Sequence, residues 1–269
     1  MFSLIFSIMN DVETAAYEIL NEIEKNSYSS RKDVEIIKNK IAREYNLKKV
    51  PKQIHLFMAA SEEQKIKFKE LLMTKPVRTI SGVAPLALFT QPLTCPPQAQ
   101  CTFCPGGPGS YFGNVPKSYT GNEPASRRAS RNNYDPYLQI FNRLEHYSLL
   151  NQPFDKVEVI VMGGTFMYYP EKYRYRFIAS IYDALNQFSK IFFKDSEFDF
   201  QKFKEFFELQ YDLNDNERIN RIHERVLKLK RETDLEEAKL ENETAKIRVV
   251  SLLIETRPDL GNLDEGNEI

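Results

Sequence analysis

The chain has 269 residues, of which 42% are hydrophobic, with a formal charge of −1 and a pI of about 6.4. That is enough apolar material for one large core or two smaller ones, and it excludes a globally basic nucleic-acid binder, so any polyanion-binding surface has to be local. Three cysteines, all between positions 95 and 104, exclude a fully paired disulfide framework and, with no export signal, point to a reducing cytoplasm.

Residues 1–9 are apolar but run directly into Asp11 and Glu13 without a basic flank. They read as neither a signal peptide nor a membrane span, and no membrane partner is expected. Residues 11–79 read as a helical region. Val12, Ala15, Ala16, Ile19, Leu20 and Ile23 share one helical face, and Val34, Ile37, Ile41 and Tyr45 repeat the pattern after a candidate N-cap at Ser30. A third helix is predicted over 62–73, with Ile66, Phe68, Leu71 and Leu72 available to pack. Residues 31–52 hold eight basic side chains against three acids. Arg31, Lys32, Lys38, Lys40 and Arg43 are therefore candidate phosphate contacts, the competing reading being an ordinary solvated helix face.

After Pro76 the texture changes. Residues 83–89 form a short apolar run, predicted as a buried strand, and it feeds a long loop containing Cys95, Cys101 and Cys104 and punctuated by Gly106, Gly107, Gly109, Gly113 and Gly121. Clustered thiolates on a Pro/Gly loop are what a soft metal centre needs. Three cysteines without an obvious fourth ligand, and only His55, His146 and His223 elsewhere, suggest a centre with one open corner. Unliganded thiols, or a zinc knuckle borrowing a histidine, are the plainer alternatives. Arg127, Arg128 and Arg131 follow, at a spacing that lines one edge of a groove or simply a surface, and then a helix over 134–150.

A second strand is predicted over 157–162, followed at once by Gly163, Gly164 and Thr165, where glycine lets a ligand approach the backbone. A helix over 170–188 comes next, and a charged helical insertion occupies 190–245. The third buried strand, 247–254, ends in Glu255 and Arg257. The order strand, cysteine loop, helix, strand, Gly-Gly, helix, strand, Glu-x-Arg describes β/α units of a parallel sheet, with all three polar sites at the carboxyl ends of the strands. The fold class is thus α/β: a helical N-terminal region, residues 1–79, followed by a partial (β/α) barrel, residues 80–269, of about three units. Half a barrel leaves an exposed strand edge, so the chain is expected to be a fragment of something larger.

The open-cornered cysteine loop after the first strand, with Gly-Gly-Thr after the second, resembles a radical S-adenosylmethionine (SAM) enzyme. Longer words narrow the resemblance: Cys-Thr-Phe-Cys-Pro-Gly-Gly-Pro (101–108), Ser-Tyr-Thr-Gly-Asn-Glu-Pro (118–124), Tyr-Asp-Pro-Tyr-Leu-Gln (134–139), Asp-Lys-Val-Glu-Val-Ile-Val-Met-Gly-Gly-Thr-Phe-Met (155–167) and Ile-Glu-Thr-Arg-Pro-Asp (254–259). Together they resemble the catalytic subunit of Elongator, and in particular its archaeal single-chain form, which modifies the wobble uridine of tRNA.

The resemblance implies that Cys95, Cys101 and Cys104 hold a [4Fe–4S] cluster whose fourth iron binds SAM. It matches Gly163, Gly164 and Thr165 to a segment for the methionyl amine, and Glu255 and Arg257 to strand-end residues near SAM. Lys156 matches a lysine associated with acetyl-CoA, the co-substrate. In the implied reaction a 5′-deoxyadenosyl radical takes hydrogen from the acetyl methyl group, the carbon radical adds to C5 of the uridine, and thioester hydrolysis leaves 5-carboxymethyluridine. The helical N-terminal region matches a tRNA-binding segment. Two departures stand out: Cys95 to Cys101 is a C-x5-C step, and no second half-barrel or C-terminal acetyltransferase-like domain is present. The chain alone is therefore expected not to complete the reaction. The alternative is a non-catalytic tRNA-binding remnant, and the sequence does not fix an oligomeric state.

Overall fold

A computed structural model of the chain describes residues 11–267 apart from 27, 29, 98–100 and 210–214. The apolar opening, residues 1–9, lies outside the described residues, as does part of the cysteine loop. The chain divides into two compact units, Met1–Ser81 with His146–Pro153, and Gly82–Glu145 with Phe154–Ile269.

The first unit is helical. Helix α1 (Asp11–Asn26) buries Ala15, Ala16, Ile19, Leu20 and Ile23, the stripe read from the sequence, against α2 (Arg31–Glu44) and α3 (Gln53–Ala59). Ser30 caps α2 by accepting a 3.2 Å hydrogen bond from the Asp33 amide. Two details differ from expectation. Helix α3 was not foreseen, because seven residues are too few for periodicity to register. The single helix expected over 62–73 is two, α4 (Glu62–Lys67) and α5 (Lys69–Leu72). A Ser61–Gln64 capping box starts α4, and Phe68 leaves helical geometry (φ −107°, ψ 23°) to turn its ring inward. Ile66, expected to be available for packing, is 79% exposed, on the side of the helix away from Phe68.

The second unit is built on a parallel sheet in the order β1 (Ala84–Phe89), β2 (Lys156–Met162), β5 (Arg248–Ile254). These are the three strands read from the sequence, within a residue at each end. In register, Ala84, Leu86 and Leu88 lie beside Val157, Val159 and Val161, which lie beside Val249, Leu252 and Ile254. The β2 members of this face are completely buried, whereas Glu158, Ile160 and Met162 on the other face are only half-buried. The sheet, whose first and third strands read as buried, is thus fully covered on one face of β2 and half-covered on the other. In β5 the expected burial fails further: Val250, skipped by the bulge opposite Val157 and Glu158, is exposed, and so is Leu253, which lies beside Ile160 on the less covered face.

The crossovers carry α6 (Pro124–Arg131) and α7 (Pro136–Leu149) between β1 and β2, and α8 (Glu171–Phe192) after β2. The insertion expected to be wholly helical opens with a two-residue hairpin, β3 (Phe193–Lys194) and β4 (Glu197–Phe198), and continues as α9 (Phe200–Phe206), α10 (Asn216–Leu227) and α11 (Leu235–Glu243). Phe188, Phe192, Phe203 and Phe207 pack ring to ring with centroids 4.5–6.4 Å apart and form its core. Among the described residues no helix is long and apolar enough to cross a membrane.

Candidate functional site

The carboxyl ends of β1, β2 and β5 form one rim, and the cysteine loop is stitched to all three. At β1, the Thr90 amide prolongs the ladder by donating to the Met162 carbonyl at 3.0 Å. Its hydroxyl is 2.9 Å from that of Tyr169, which donates to the Gln91 carbonyl, and the Gln91 amide donates to the Tyr173 hydroxyl at 3.2 Å. The two tyrosine rings stack at 4.7 Å. Burial pushes the Tyr169 phenol up to about 12 and raises that of Tyr173 as well. On the outer edge of β1 the buried Gln139 of α7 accepts from the Phe89 amide and donates to its carbonyl, each at 2.9 Å. A side-chain amide thus pairs the strand end as a neighbouring strand would.

At β2, Gly163 (φ 134°) and Gly164 (φ 97°) both adopt conformations that L side chains rarely take. The space around them is filled by the protein itself. A Cβ on Gly163 would overlap the Thr90 hydroxyl, and one on Gly164 would lie 2.8 Å from Lys117 Cβ. Thr165 is buried, with its hydroxyl 3.3 Å from Cys95 Sγ. At β5, the Glu255 amide donates to the Val161 carbonyl at 2.9 Å, and its carboxylate oxygens lie 2.9 and 2.7 Å from the Tyr119 hydroxyl. Burial and the bond to Glu255 raise the Tyr119 phenol. The Tyr119 ring stands edge-on to Phe89 at 4.6 Å, and its carbonyl oxygen occupies the space a Cβ on Gly106 would need. Tyr119 thereby ties the cysteine loop to β1 and β5 together. Arg257 grips Asp259 with two hydrogen bonds of 3.0 and 2.9 Å.

The three thiols are unlike one another. Cys101 is exposed, while Cys95 and Cys104 are half-buried. Cys104 Sγ accepts from the Ser118 amide at 3.3 Å and lies 3.2 Å from the Gly106 carbonyl. Among the described residues no three His, Cys, Asp or Glu side chains gather closely enough to hold a metal ion. The fit of this loop to an iron–sulfur centre is therefore one of donor chemistry: three thiols on one loop, with an amide N–H already directed at sulfur.

The other sequence candidates fall outside this rim. Lys156, exposed, is the first residue of β2, in register with Arg248. It stands at the opposite edge of the sheet, roughly 20 Å of strand from Gly163. On α6, Ser126 and Ala129 face inward, and Arg127 and Arg131 are exposed. Arg127 bonds Asn122 and Arg128 bonds the Pro124 carbonyl. In the first unit Lys32 and Arg43 are exposed and in no ion pair among the described residues, Lys40 sits 3.9 Å from Glu44, and Arg31 donates to the Glu70 and Met73 carbonyls. Lys38 differs from its neighbours. It follows Ile37 into the packed stripe of α2, where its side chain is buried and its ammonium is held 2.6 Å from Glu35, so it presents no charge to a phosphate. Sequence reading missed Lys117, Tyr119 and Gln139, although the quoted words at 118–124 and 134–139 contain the last two.

The family described as the ELP3 N-terminal domain matches residues 12–80. Over 252 residues, 93% of this chain, the sequence is 37% identical to a "tRNA uridine(34) acetyltransferase" of Methanocaldococcus infernus, of which the match covers 39%. It is 42% identical over 175 residues to "Elongator complex protein 3" of Drosophila melanogaster, covering 63% of this chain and 32% of the relative. A solved structure of the archaeal Methanocaldococcus infernus Elp3 with an N-terminal deletion aligns with 26% identity and a TM-score of 0.39, over 70% of this chain and 26% of that one. The chain spans about two fifths of the length of its archaeal relative. The chain thus carries a match to the ELP3 N-terminal domain at residues 12–80 and is similar to these relatives over most of its own length.

Proposed function

We propose that this chain is part of a radical SAM enzyme that converts the wobble uridine of tRNA to 5-carboxymethyluridine with acetyl-CoA as co-substrate. One observation carries the reading: a loop bearing three thiols is tied to the ends of all three parallel strands, through Thr165, Tyr119 and Thr90. Carboxyl ends of parallel strands are where such folds bind ligands. Cys95, Cys101 and Cys104 would hold a [4Fe–4S] cluster, which when bound supplies the electron that cleaves SAM reductively.

The chain's own residues have separable tasks. Ser118 N–H and the Thr165 hydroxyl orient Cys104 and Cys95. Tyr119 holds Glu255 as a fixed acceptor at the strand end, positioned for the hydroxyl or ammonium groups of an adenosyl ligand. Lys32, Lys40 and Arg43 on α2, with Arg127 and Arg131 on α6, are exposed cations that suit tRNA phosphates. Lys156 stands away from the rim, so a role with acetyl-CoA would be in binding the carrier at a distance rather than in contact with bound SAM.

The test is anaerobic reconstitution with iron and sulfide, metal analysis, and an assay for 5′-deoxyadenosine after adding SAM and dithionite. About four irons per chain together with 5′-deoxyadenosine are the expected result. A cluster without cleavage would favour a non-catalytic tRNA-binding role, and stoichiometric zinc would overturn the radical reading.

A further inference from the structure

Lys117 lies at the rim with its stem pressed between glycines of two different segments. A Cβ on Gly164 would stand 2.8 Å from Lys117 Cβ, and one on Gly107 would stand 2.6 Å from Cδ and Cε and 2.8 Å from Nζ. Gly107 (φ 134°) belongs to the cysteine loop and Gly164 (φ 97°) to the turn after β2. At Gly164 a side chain would meet the fixed base of the lysine, its Cβ and carbonyl, whereas at Gly107 it would meet only the movable end of the stem, so Gly164 sets where the lysine starts and Gly107 leaves room for its tip. The next residue, Ser118, donates its amide to Cys104 Sγ, which fixes the lysine's place in the chain relative to a thiol.

The ammonium has no acceptor among the described residues. Half-buried, Lys117 enters no hydrogen bond or ion pair among the described residues. Glu255 accepts from Tyr119 and Glu123 from Thr120, and neither carboxylate pairs with Lys117. Ordering a lysine stem costs rotamer freedom, and partial burial adds a desolvation cost, so an oriented cation without a protein partner among the described residues has the form of an oxyanion-binding residue before its ligand arrives. The candidate oxyanions are a carboxylate and a phosphate. The cation stands over Gly107, three residues from Cys104, where the reading above puts an amino-acid ligand.

We propose that Lys117, aligned by Gly107 and Gly164, anchors the carboxylate at the amino-acid end of SAM; this rests on the radical SAM reading. The experiment measures equilibrium binding of SAM and of decarboxylated SAM to the reconstituted full chain, as wild type, Lys117→Gln and Lys117→Arg. A charge-assisted hydrogen bond corresponds to roughly a 10- to 100-fold change in affinity. Lys117→Gln should lose about that much for SAM and nothing for the decarboxylated ligand, and Lys117→Arg should keep part of the difference. Equal losses for both ligands, or none for SAM, overturn the proposal while leaving the reading intact. A loss confined to acetyl-CoA or tRNA overturns it in favour of a phosphate. If the wild type binds neither adenosyl ligand, the reading fails and the proposal with it. The Arg variant, which keeps the charge, separates a binding defect from a folding one.

Discussion

In the insertion after α8, charged side chains are closed off by partners inside the protein, whereas at the strand-end rim some are left open. Arg218, 3% exposed at its side chain, bonds Glu145 at 2.8 Å and the Phe207 and Glu208 carbonyls. Asp183, fully buried, is held by Arg231, which also reaches Glu241. At the rim, Cys101 is exposed and Lys117 points at no acceptor among the described residues. The insertion's polar groups therefore look like architecture and the rim's look like binding capacity. Substitutions should separate the two.

The largest effect belongs to the insertion. Arg218→Met strands Glu145, whose carboxyl burial already pushes up against the opposing pull of Arg218, and removing one member of a buried pair costs about 3–5 kcal/mol. The urea midpoint should fall accordingly. Adding Glu145→Leu should recover much of the loss, because the uncompensated charge is gone; a double variant no better than the single would break the contrast. At the rim the corresponding insult is smaller. Gly164→Ala combines a positive φ with a clash against the Lys117 stem, and should cost about 1–3 kcal/mol. Gly109→Ala meets nothing within 4 Å and carries only the backbone strain of φ 77°, so it should cost less. Equal melting temperatures for the two would remove the evidence that Gly164 is shaped around a lysine. Smaller again is Tyr119→Phe, which keeps the ring on Phe89 and loses the bond to Glu255, worth about 1 kcal/mol after allowing for partial exposure.

Legibility in the sequence divides along the same line. The strands at 84–89, 156–162 and 248–254 were readable because short, mostly apolar runs, too short for a buried helix, say strand whatever covers them. What covers them was not readable: the half-open face of β2 and the exposed Leu253 depend on what packs there, which no local pattern encodes. The convergence of Cys95, Thr165 and Glu255 on one rim followed from strand direction alone. The links that make the rim one object did not. Tyr119 reaches a carboxylate 136 positions away, and Gln139 mimics a strand 50 positions away, so nothing in their own neighbourhood announces either role. Lys38 shows the reverse case. A count of charges along α2 cannot tell which lysine the helix turns inward.

The smallest predicted effect returns to the insertion and concerns pH. Glu208 accepts from Arg221 at 2.8 and 3.1 Å and from Arg225 at 2.7 Å, and the Arg221 bond, then that of Arg225, holds its carboxyl below the usual carboxylate range. A depressed native pKa means that the unfolded chain takes up the proton first. The stabilisation is present above the unfolded value of about 4.3 and is lost as pH falls through the lower native value. Both arginines are partly open to solvent, their side chains 46% and 38% exposed, so the contribution should stay within the range of surface pairs, about 1 kcal/mol or less, and shrink with added salt. Glu208 also has a positive φ of 48°, which Glu208→Gln leaves unchanged, so that substitution isolates the charge. Urea midpoints measured from pH 6 down to pH 3 should begin lower for Glu208→Gln and meet those of the wild type at the acid end. If the two curves stay parallel to pH 3, the glutamate's contribution is its packing and not its charge, and the insertion's surface would then owe less to ion pairs than its buried centre at Arg218.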